Sequence, residues 1–253
     1  MVLLGRGTGD WALPAIHNAA FAAAGIDAEY SVREIGPNEL VAAVIATRSS
    51  GYLGASVSTP HQRAVCGLVD RRSDEVERLG VANTLVHLGA QLIAYNAELA
   101  AVREELAELR PRPGAAVVLG VDEASLAVEA ALADLGWRDL RIITQAQWDD
   151  LEEALRHADL VVNATPIGSR SDESPVPAGW LRPELAVLDL VYRPSPTRLV
   201  REARASGLPV RDGTGTLLRR AAASFTLWTG LPAPMAPMRE ALERTGSTGQ
   251  ADL

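Results

Sequence analysis

The amino-acid sequence predicts an α/β fold with two lobes. Segments with helical spacing of apolar residues alternate with short apolar runs along the chain, as in domains that pack helices on a sheet. Several runs in the second half are continuously apolar, as expected for strands buried on both faces of a parallel sheet. The segment Arg-Pro-Arg-Pro-Gly at residues 110–114 interrupts this alternation and marks a candidate domain boundary.

The first half begins with a helix that is defined at both ends. Residues 14–24 start with Pro14 and are followed by Gly25, which suit the first turn and the end of a helix. The other elements predicted here are a strand at 30–35, a helix at 38–47, a strand at 54–58 before the turn at Pro60, a hairpin of 80–88 with 91–95, and an amphipathic helix at 97–109.

The second half alternates strands and helices in a regular way, which is typical of a parallel sheet. The predicted elements are a strand at 115–120, a helix at 123–135, a strand at 140–144, a helix at 148–158, strands at 160–164 and 185–190, a helix at 197–206, a strand at 208–211 and a long helix at 214–228. Residues 246–253 are small and polar, so we expect a disordered tail there.

Composition excludes several classes of protein. The net charge of −8 disfavours nucleic acid and anionic membrane surfaces as partners. The single cysteine, Cys66, cannot form an internal disulfide, and no cluster of Cys and His residues predicts a metal site. The N-terminus has no signal-peptide pattern, and no apolar run reaches the roughly 20 residues of a membrane helix. We therefore expect a cytoplasmic protein.

Residues 54–62 read Gly-Ala-Ser-Val-Ser-Thr-Pro-His-Gln and resemble the Gly-x-Asn-Val-Thr-x-Pro-His-Lys signature of the shikimate dehydrogenase family. Further segments resemble motifs of that family in the same order, at residues 14–21, 80–84, 94–98, 162–168, 188–197 and 212–217. The resemblance implies a substrate domain from residues 1–102 plus 213–245, and a reduced Rossmann-like domain from residues 103–212. It also implies a cleft between them, NADP as cofactor and hydride transfer at a ring hydroxyl of shikimate.

Two of the family's functional groups are replaced in this chain. The catalytic lysine corresponds to Gln62, which has no titratable proton, and no lysine occurs anywhere in the sequence. The glycine-rich turn Gly-x-Gly-Gly-Ala corresponds to residues 120–124, where Asp122 and Glu123 stand beside the expected pyrophosphate. In a partly dry site at ~4 Å, each carboxylate would cost up to roughly 4 kcal/mol in repulsion. Alternatively, the two carboxylates cap the following helix.

The adenosine side of the expected cofactor site also differs. The arginine that binds the NADP 2′-phosphate in the family corresponds to Gln145, whose amide can hydrogen-bond a ribose hydroxyl, although an NAD site normally has Asp or Glu at this position. The interval between Thr144 and Asn163 is too short for the strand and helix pair that the family usually has there. From these differences we expect no cofactor, with Gly120, Ala124, Ser125 and Asn163 as remnants of a degenerate nucleotide site.

The resemblance also nominates residues for the substrate and for catalysis. The two hydroxyls that hold the shikimate carboxylate in the family correspond to Trp11 and Leu13, and either Arg219 or Arg220 could hold the carboxylate instead. Glu98 stands where the family has an aspartate paired with the lysine. The candidate substrate ligands are Ser58, Asn83, Asn96, Thr197, Arg220 and Trp11, and the candidate catalytic residues are Glu98, His61 and Tyr192.

Three functions remain open at this point. The favoured hypothesis is a family member that has lost NADP-dependent hydride transfer and keeps a polar cleft for a small hydroxylated or carboxylate ligand, with cofactor-independent acid–base chemistry. The alternative is a weak or altered NAD(P)-dependent shikimate or quinate dehydrogenase. The third is a non-catalytic scaffold or regulatory protein. We expect a monomer or a homodimer in each case.

Overall fold

A computed structural model describes residues 1–5, 12–49, 51–109 and 112–248. Trp11, a predicted substrate ligand, lies outside the described residues. The chain divides into two compact units, Met1–Ala97 with Leu218–Leu253, and Glu98–Leu217. The predicted α/β fold is confirmed, since each unit is built on its own sheet.

The first unit contains a mixed six-stranded sheet. Its strands are β1 Val2–Gly5, β2 Ser31–Glu34, β3 Gly54–Val57, β4 Arg71–Arg72, β5 Thr84–Leu88 and β6 Gln91–Tyr95, in the order β2-β1-β3-β5-β6-β4. β1 runs parallel to β2 and β3, whereas β5 runs antiparallel to β3 and β6. The end of β3, the end of β6 and the start of β5 therefore meet at one edge of the sheet.

Sequence patterns did not predict β1, although it lies inside the sheet. Its four residues are all buried, so they show no alternation of apolar and polar positions. The short β4 and the helix at Asp74–Leu79 were also not predicted. Elements of two to six residues are too short to show the spacing of apolar residues that distinguishes a strand from a helix.

The first unit also contains the helices α1 Ala12–Ala23, α2 Leu40–Thr47, α3 Asp74–Leu79 and α9 Met235–Thr248. α9 ends at Thr248, within the segment 246–253 where the sequence predicts a disordered tail. One glycine inside a helix costs only about 1 kcal/mol and does not have to end it. Residues 249–253 of the expected tail lie outside the described residues.

The second unit contains a five-stranded sheet in which every strand pair is parallel. Its strands are β7 Ala115–Leu119, β8 Asp139–Ile143, β9 Leu160–Asn163, β10 Ala186–Asp189 and β11 Val210–Arg211, in the order β11-β10-β9-β7-β8. The chain moves from β7 outward to β8 and then returns to β9 on the other side of β7. This change of direction is the topological switch point at which open α/β sheets bind ligands.

The second unit also contains α5 Glu123–Asp134, α6 Leu151–Arg156 and α7 Arg198–Ala205. The chain passes between the two units within α4 Ala97–Leu109 and α8 Gly213–Thr229. The predicted helix at 148–158 is divided in the structure, because residues 145–150 form a 3₁₀ turn before α6. Among the described residues, no helix combines the length and apolar character required to cross a bilayer.

Candidate functional site

The turn after β3 carries Gln62, the residue at the family's lysine position. The Gln62 side chain donates from Nε2 to the Val57 carbonyl at 3.1 Å, across the turn. The Gln62 carbonyl accepts from the Ala82 amide at 3.0 Å, which joins the turn to the segment before β5. Gln62 is partly buried and uses its amide as a hydrogen-bond donor. It can orient a polar group but cannot exchange a proton.

Two asparagines lie at the same sheet edge as Gln62. Asn83 and Asn96 are 6% and 4% exposed, and Nδ2 of Asn83 donates to Oδ1 of Asn96 at 3.3 Å. Oδ1 of Asn83 accepts from the Ala97 amide at 2.9 Å and from the Thr84 hydroxyl at 3.1 Å. Nδ2 of Asn96 donates to the Val81 carbonyl at 3.1 Å. The asparagines thus shape this edge and hold the start of α4.

Helix α8 reaches the same region through a buried serine that sequence reasoning did not identify. Ser224 Oγ lies 2.9 Å from Thr84 Oγ1, and both residues are almost fully buried. Trp228, one turn further on, donates from Nε1 to the Leu85 carbonyl at 2.9 Å. Ser224 and Trp228 are four residues apart in a predicted helix, and this spacing could have indicated that both side chains lie on the same buried face.

The other predicted site residues of the first unit lie in different environments. Ser58 is partly exposed, and its hydroxyl donates to the Thr59 carbonyl at 3.2 Å. His61 is 2% exposed, and its Nε2 lies 3.1 Å from the Ile35 carbonyl. Arg220 is partly buried on α8. The catalytic role of His61 and the ligand roles of Ser58 and Arg220 stay predictions.

The positive charge of Arg220 affects a buried aromatic cluster. His17 stacks on Tyr30 with ring centroids 4.5 Å apart and lies 5.0 Å from Trp228. Burial first, and then the charge of Arg220, lower the pKa of His17 to about 3. His17 Nδ1 has no hydrogen-bond partner. His17 is therefore a neutral core residue of α1 at physiological pH.

In the second unit, Gly120 forms the turn from β7 into α5. Its φ of +110° is a conformation that side chains rarely adopt. A Cβ atom there would lie 3.1 Å from Ser125 Oγ and 3.2 Å from the Ala164 carbonyl. The turn is therefore pressed against both α5 and the segment after β9, at the switch point of the sheet. A glycine at this point of a nucleotide-binding fold allows the tight turn that precedes the helix.

The amides at the start of α5 are held by a carboxylate of this chain. Asp122 is the N-cap, and its Oδ1 accepts from the amides of Ala124 at 3.1 Å and Ser125 at 3.2 Å. The Ser125 hydroxyl lies 3.4 Å from the same oxygen. These are the donors that a helix start offers to a phosphate. Asp122 is exposed, so water screens its charge.

The segment after β8 consists of uncharged residues. Thr144 donates to Oε1 of Gln147 from its amide at 3.3 Å and from its hydroxyl at 3.0 Å. Gln145, between them, is exposed. β8 borders only β7 among the described strands. The adenosine side of a nucleotide site built on this sheet would therefore meet amides and hydroxyls.

A buried carboxylate joins the loops that follow β9 and β10. Asp189 accepts from Asn163 Nδ2 at 2.9 Å, from the Thr197 hydroxyl at 2.6 Å and from the Val191 amide at 3.0 Å. Burial raises the pKa of the Asp189 carboxyl, while these three hydrogen bonds oppose that rise. Sequence reasoning gave Asn163 and Thr197 separate roles and assigned no role to Asp189, although Asp189 holds both.

Thr197 and Asn163 thus have internal partners. Thr197 also caps α7 by accepting from the Val200 amide at 3.2 Å, and Asn163 Oδ1 accepts from the Thr165 amide at 3.1 Å. Glu98 and Tyr192 are partly exposed, with Glu98 in the first turn of α4. The ligand role of Thr197 and the catalytic roles of Glu98 and Tyr192 stay predictions. No cluster of three or more metal-binding side chains occurs in the described parts of the chain.

Comparison with known proteins identifies what this chain is similar to. The profile of the shikimate dehydrogenase substrate binding domain matches residues 5–85, and that of the shikimate 5′-dehydrogenase C-terminal domain matches residues 213–243. The NADP(+) shikimate dehydrogenase of Moorella thermoacetica is 34% identical over 270 residues, covering 96% of this chain and 92% of that protein. The family predicted from the sequence motifs is thereby confirmed.

Solved structures show the same likeness. Shikimate 5-dehydrogenase of Thermus thermophilus, in complex with NADP(H) and shikimate, superposes with a TM-score of 0.86 at 31% identity, covering 96% of this chain and 98% of that chain. Quinate dehydrogenase of Corynebacterium glutamicum, in complex with NAD, superposes with a TM-score of 0.85 at 26% identity, with coverages of 96% and 98%.

The expectation that no cofactor is used is wrong, because the relatives are NADP(+) enzymes and are seen with the nucleotide bound. Asp122 does not lie in the partly dry site that the sequence comparison assumed. Its carboxylate is exposed, so repulsion from a phosphate at ~4 Å falls to about 1 kcal/mol. The relatives favour the dehydrogenase alternative over cofactor-independent chemistry.

Proposed function

The chain belongs to the shikimate dehydrogenase family, and from that premise we propose that it is an NAD(P)-dependent dehydrogenase. Its substrate is a small hydroxylated carboxylic acid of the shikimate or quinate type, oxidised at a ring hydroxyl. The observation that carries this proposal is the 34% identity to a shikimate dehydrogenase across 96% of the chain. A match of that extent spans both compact units of the chain.

The first unit is the substrate unit in this proposal, with domain limits near residues 1–102 plus 213–245. Asn83 and Asn96 supply amides at the sheet edge for ring hydroxyls, and Ser58 adds a hydroxyl. Arg220 on α8 supplies the positive charge for the carboxylate, since a guanidinium can bind it through two hydrogen bonds. Arg220 precedes Ser224 by one helical turn on α8, and the Ser224 hydroxyl lies 2.9 Å from Thr84 Oγ1 at this sheet edge, which supports the assignment.

The second unit is the nucleotide unit. The Gly120 turn, the amides of Ala124 and Ser125, and the segment after β9 would hold the dinucleotide at the switch point. These groups fit a pyrophosphate once the Asp122 carboxylate moves aside, and losing such a cap costs about 1 kcal/mol. When bound, a nicotinamide supplies the acceptor for the hydride that leaves the hydroxyl-bearing carbon.

Oxidation of an alcohol also requires a base for the hydroxyl proton. Gln62 cannot take that proton, but its amide can hold the substrate oxygen in place. We assign the proton to the carboxylate of Glu98, which stands two residues after Asn96 and is partly exposed. With a nucleotide bound as hydride acceptor, the Glu98 carboxylate would take the O–H proton of the substrate hydroxyl, and the product would be a ketone.

The test is the rate of nucleotide reduction by purified protein with shikimate and with quinate, for the wild type and for Glu98→Gln. We expect measurable reduction by the wild type and a loss of about 100-fold or more in kcat for the variant, as for removal of a general base. Glu104→Gln is the matched control, because Glu104 is exposed on the same helix. An unchanged kcat in Glu98→Gln would exclude Glu98 as the base.

A further inference from the structure

We propose that this protein selects NAD over NADP, and that the uncharged segment after β8 determines the choice. The inference rests on the proposed function and specifies its cofactor. NADP differs from NAD by a phosphate on the adenosine 2′-oxygen, so a protein distinguishes them by what it places beside that oxygen. In a parallel nucleotide-binding sheet this position follows the second strand, which is β8 here.

The residues that follow β8 offer no charge partner for a phosphate. Residues 144–147 are Thr, Gln, Ala and Gln, and the Thr144 amide and hydroxyl are both directed to Gln147 Oε1. The exposed amide of Gln145 remains at this edge. An amide can donate to and accept from a ribose 2′-hydroxyl, but it carries no charge to balance a phosphate.

The charges nearest in sequence to this segment would repel a 2′-phosphate. Asp149 and Asp150 follow it after Trp148 and are both exposed. The arginine of β8, Arg141, lies 3.7 Å from the Asp150 carboxylate, so its charge is already partly balanced. The turn after β7, the neighbouring strand, adds Asp122 and Glu123.

Arginines on the other side of the sheet are also engaged. Arg201 of α7 pairs with Asp172, and Arg198 pairs with Glu202 at 2.7 Å. α7 packs on β10 and β11, which lie at the end of the sheet opposite to β8. The described structure of this unit thus places its α7 guanidinium groups away from the adenosine side.

The size of the preference follows from the uncompensated negative charge of the 2′-phosphate. Without a cationic partner, nothing offsets its repulsion from the exposed aspartates, which at ~4 Å in water lowers affinity about fivefold for each pair of charges. Salt screens this repulsion. We therefore expect NAD⁺ to bind about fivefold to tenfold more tightly than NADP⁺, and the difference in affinity to narrow as salt is raised.

Calorimetric titration of the full-length protein with NAD⁺ and with NADP⁺ tests this without any turnover. Gln145→Arg should tighten NADP⁺ binding by about tenfold or more and leave NAD⁺ binding nearly unchanged. Gln91→Arg is the matched control, because it adds the same charge at an exposed position of the first unit and should change neither. The melting temperature of each variant checks that it is folded.

Tighter binding of NADP⁺ than of NAD⁺ by the wild type would overturn the inference and leave the proposed function intact. Equal tightening of both nucleotides in Gln145→Arg would also overturn it, because the new arginine would then not be acting on the 2′-phosphate. If neither nucleotide bound to folded protein, the inference and the proposed function would both fail.

Discussion

Asp122 is predicted to weaken nucleotide binding, and two substitutions separate the ways in which it does so. Asp122→Asn keeps a side-chain oxygen that can cap α5 but removes the negative charge. Asp122→Gly removes both the charge and the competing oxygen, and it frees the amides of Ala124 and Ser125. Glycine is a tolerated N-cap, so the cost to folding should be only a few tenths of a kcal/mol.

The magnitudes follow from the geometry of the cap. Asp122 is exposed, so the repulsion of its charge by a phosphate at ~4 Å is about 1 kcal/mol. Displacing a capping oxygen from two amides costs about another 1 kcal/mol. Asp122→Asn should therefore tighten NAD⁺ binding about fivefold, and Asp122→Gly about 30-fold.

Calorimetric titration with NAD⁺ at low salt measures both effects. Asp139→Asn is the control, because it removes an exposed carboxylate at the start of β8, the opposite end of the parallel strands, and should leave the Kd unchanged. If Asp122→Gly left the Kd within twofold of the wild type, the start of α5 would not be the pyrophosphate site. That result would contradict the placement of the nucleotide in the second unit.

Three further predictions concern the first unit. The pKa of His17 is about 3 in the folded protein against an ordinary value of 6.5, so the unfolded state binds more protons between these values and stability falls as the pH drops below 6.5. When the pH is lowered from 7.5 to 5, the free energy of unfolding measured by chemical denaturation should fall by about 2 kcal/mol less in His17→Leu than in the wild type. Equal decreases in the two proteins would contradict the burial of a neutral His17. Gln62→Lys should raise kcat about 100-fold by restoring a proton-transfer group, and an unchanged kcat would show that Gln62 is not at the reacting hydroxyl. Gly54→Ala should destabilise the protein by about 3 kcal/mol or more, because φ is +156° and the added Cβ would meet the Leu85 carbonyl group and lie 2.9 Å from Trp228 Nε1; a melting temperature equal to that of the wild type would refute this.

Most of the long helices and strands could be predicted from the sequence, because the apolar residues in them recur at a clear helical or strand spacing. α4 was predicted with the bounds that the structure gives, Ala97–Leu109, and β6 likewise with Gln91–Tyr95. β1 was not predicted, since a strand buried along its whole length gives no alternating pattern. Residues 148–150, the last three of the 3₁₀ turn at Gln145–Asp150, were predicted as part of a helix, because helical spacing does not distinguish the two kinds of turn.

The candidate site was harder to predict, because its properties depend on exposure and on partners distant in sequence. Asp122 was recognised as a substitution, but its exposure to water, which decides the strength of its repulsion, cannot be read from a hexapeptide. Asp189 and Asn163 are 26 residues apart in the sequence, and the pairing of β9 with β10 brings Asn163 Nδ2 to within 2.9 Å of Asp189 Oδ1. Ser224 and Thr84 meet across an even longer separation.

The central claim is that this chain transfers hydride from a hydroxylated acid to a nicotinamide nucleotide. The most direct measurement uses shikimate or quinate deuterated at the carbon that bears the reacting hydroxyl, incubated with the wild-type protein and NAD⁺ or NADP⁺. Mass spectrometry of the recovered nucleotide should show reduced nicotinamide carrying deuterium, with more product from NAD⁺. If neither acid reduced or labelled either nucleotide, while calorimetry showed nucleotide bound to folded protein, the dehydrogenase function would be contradicted.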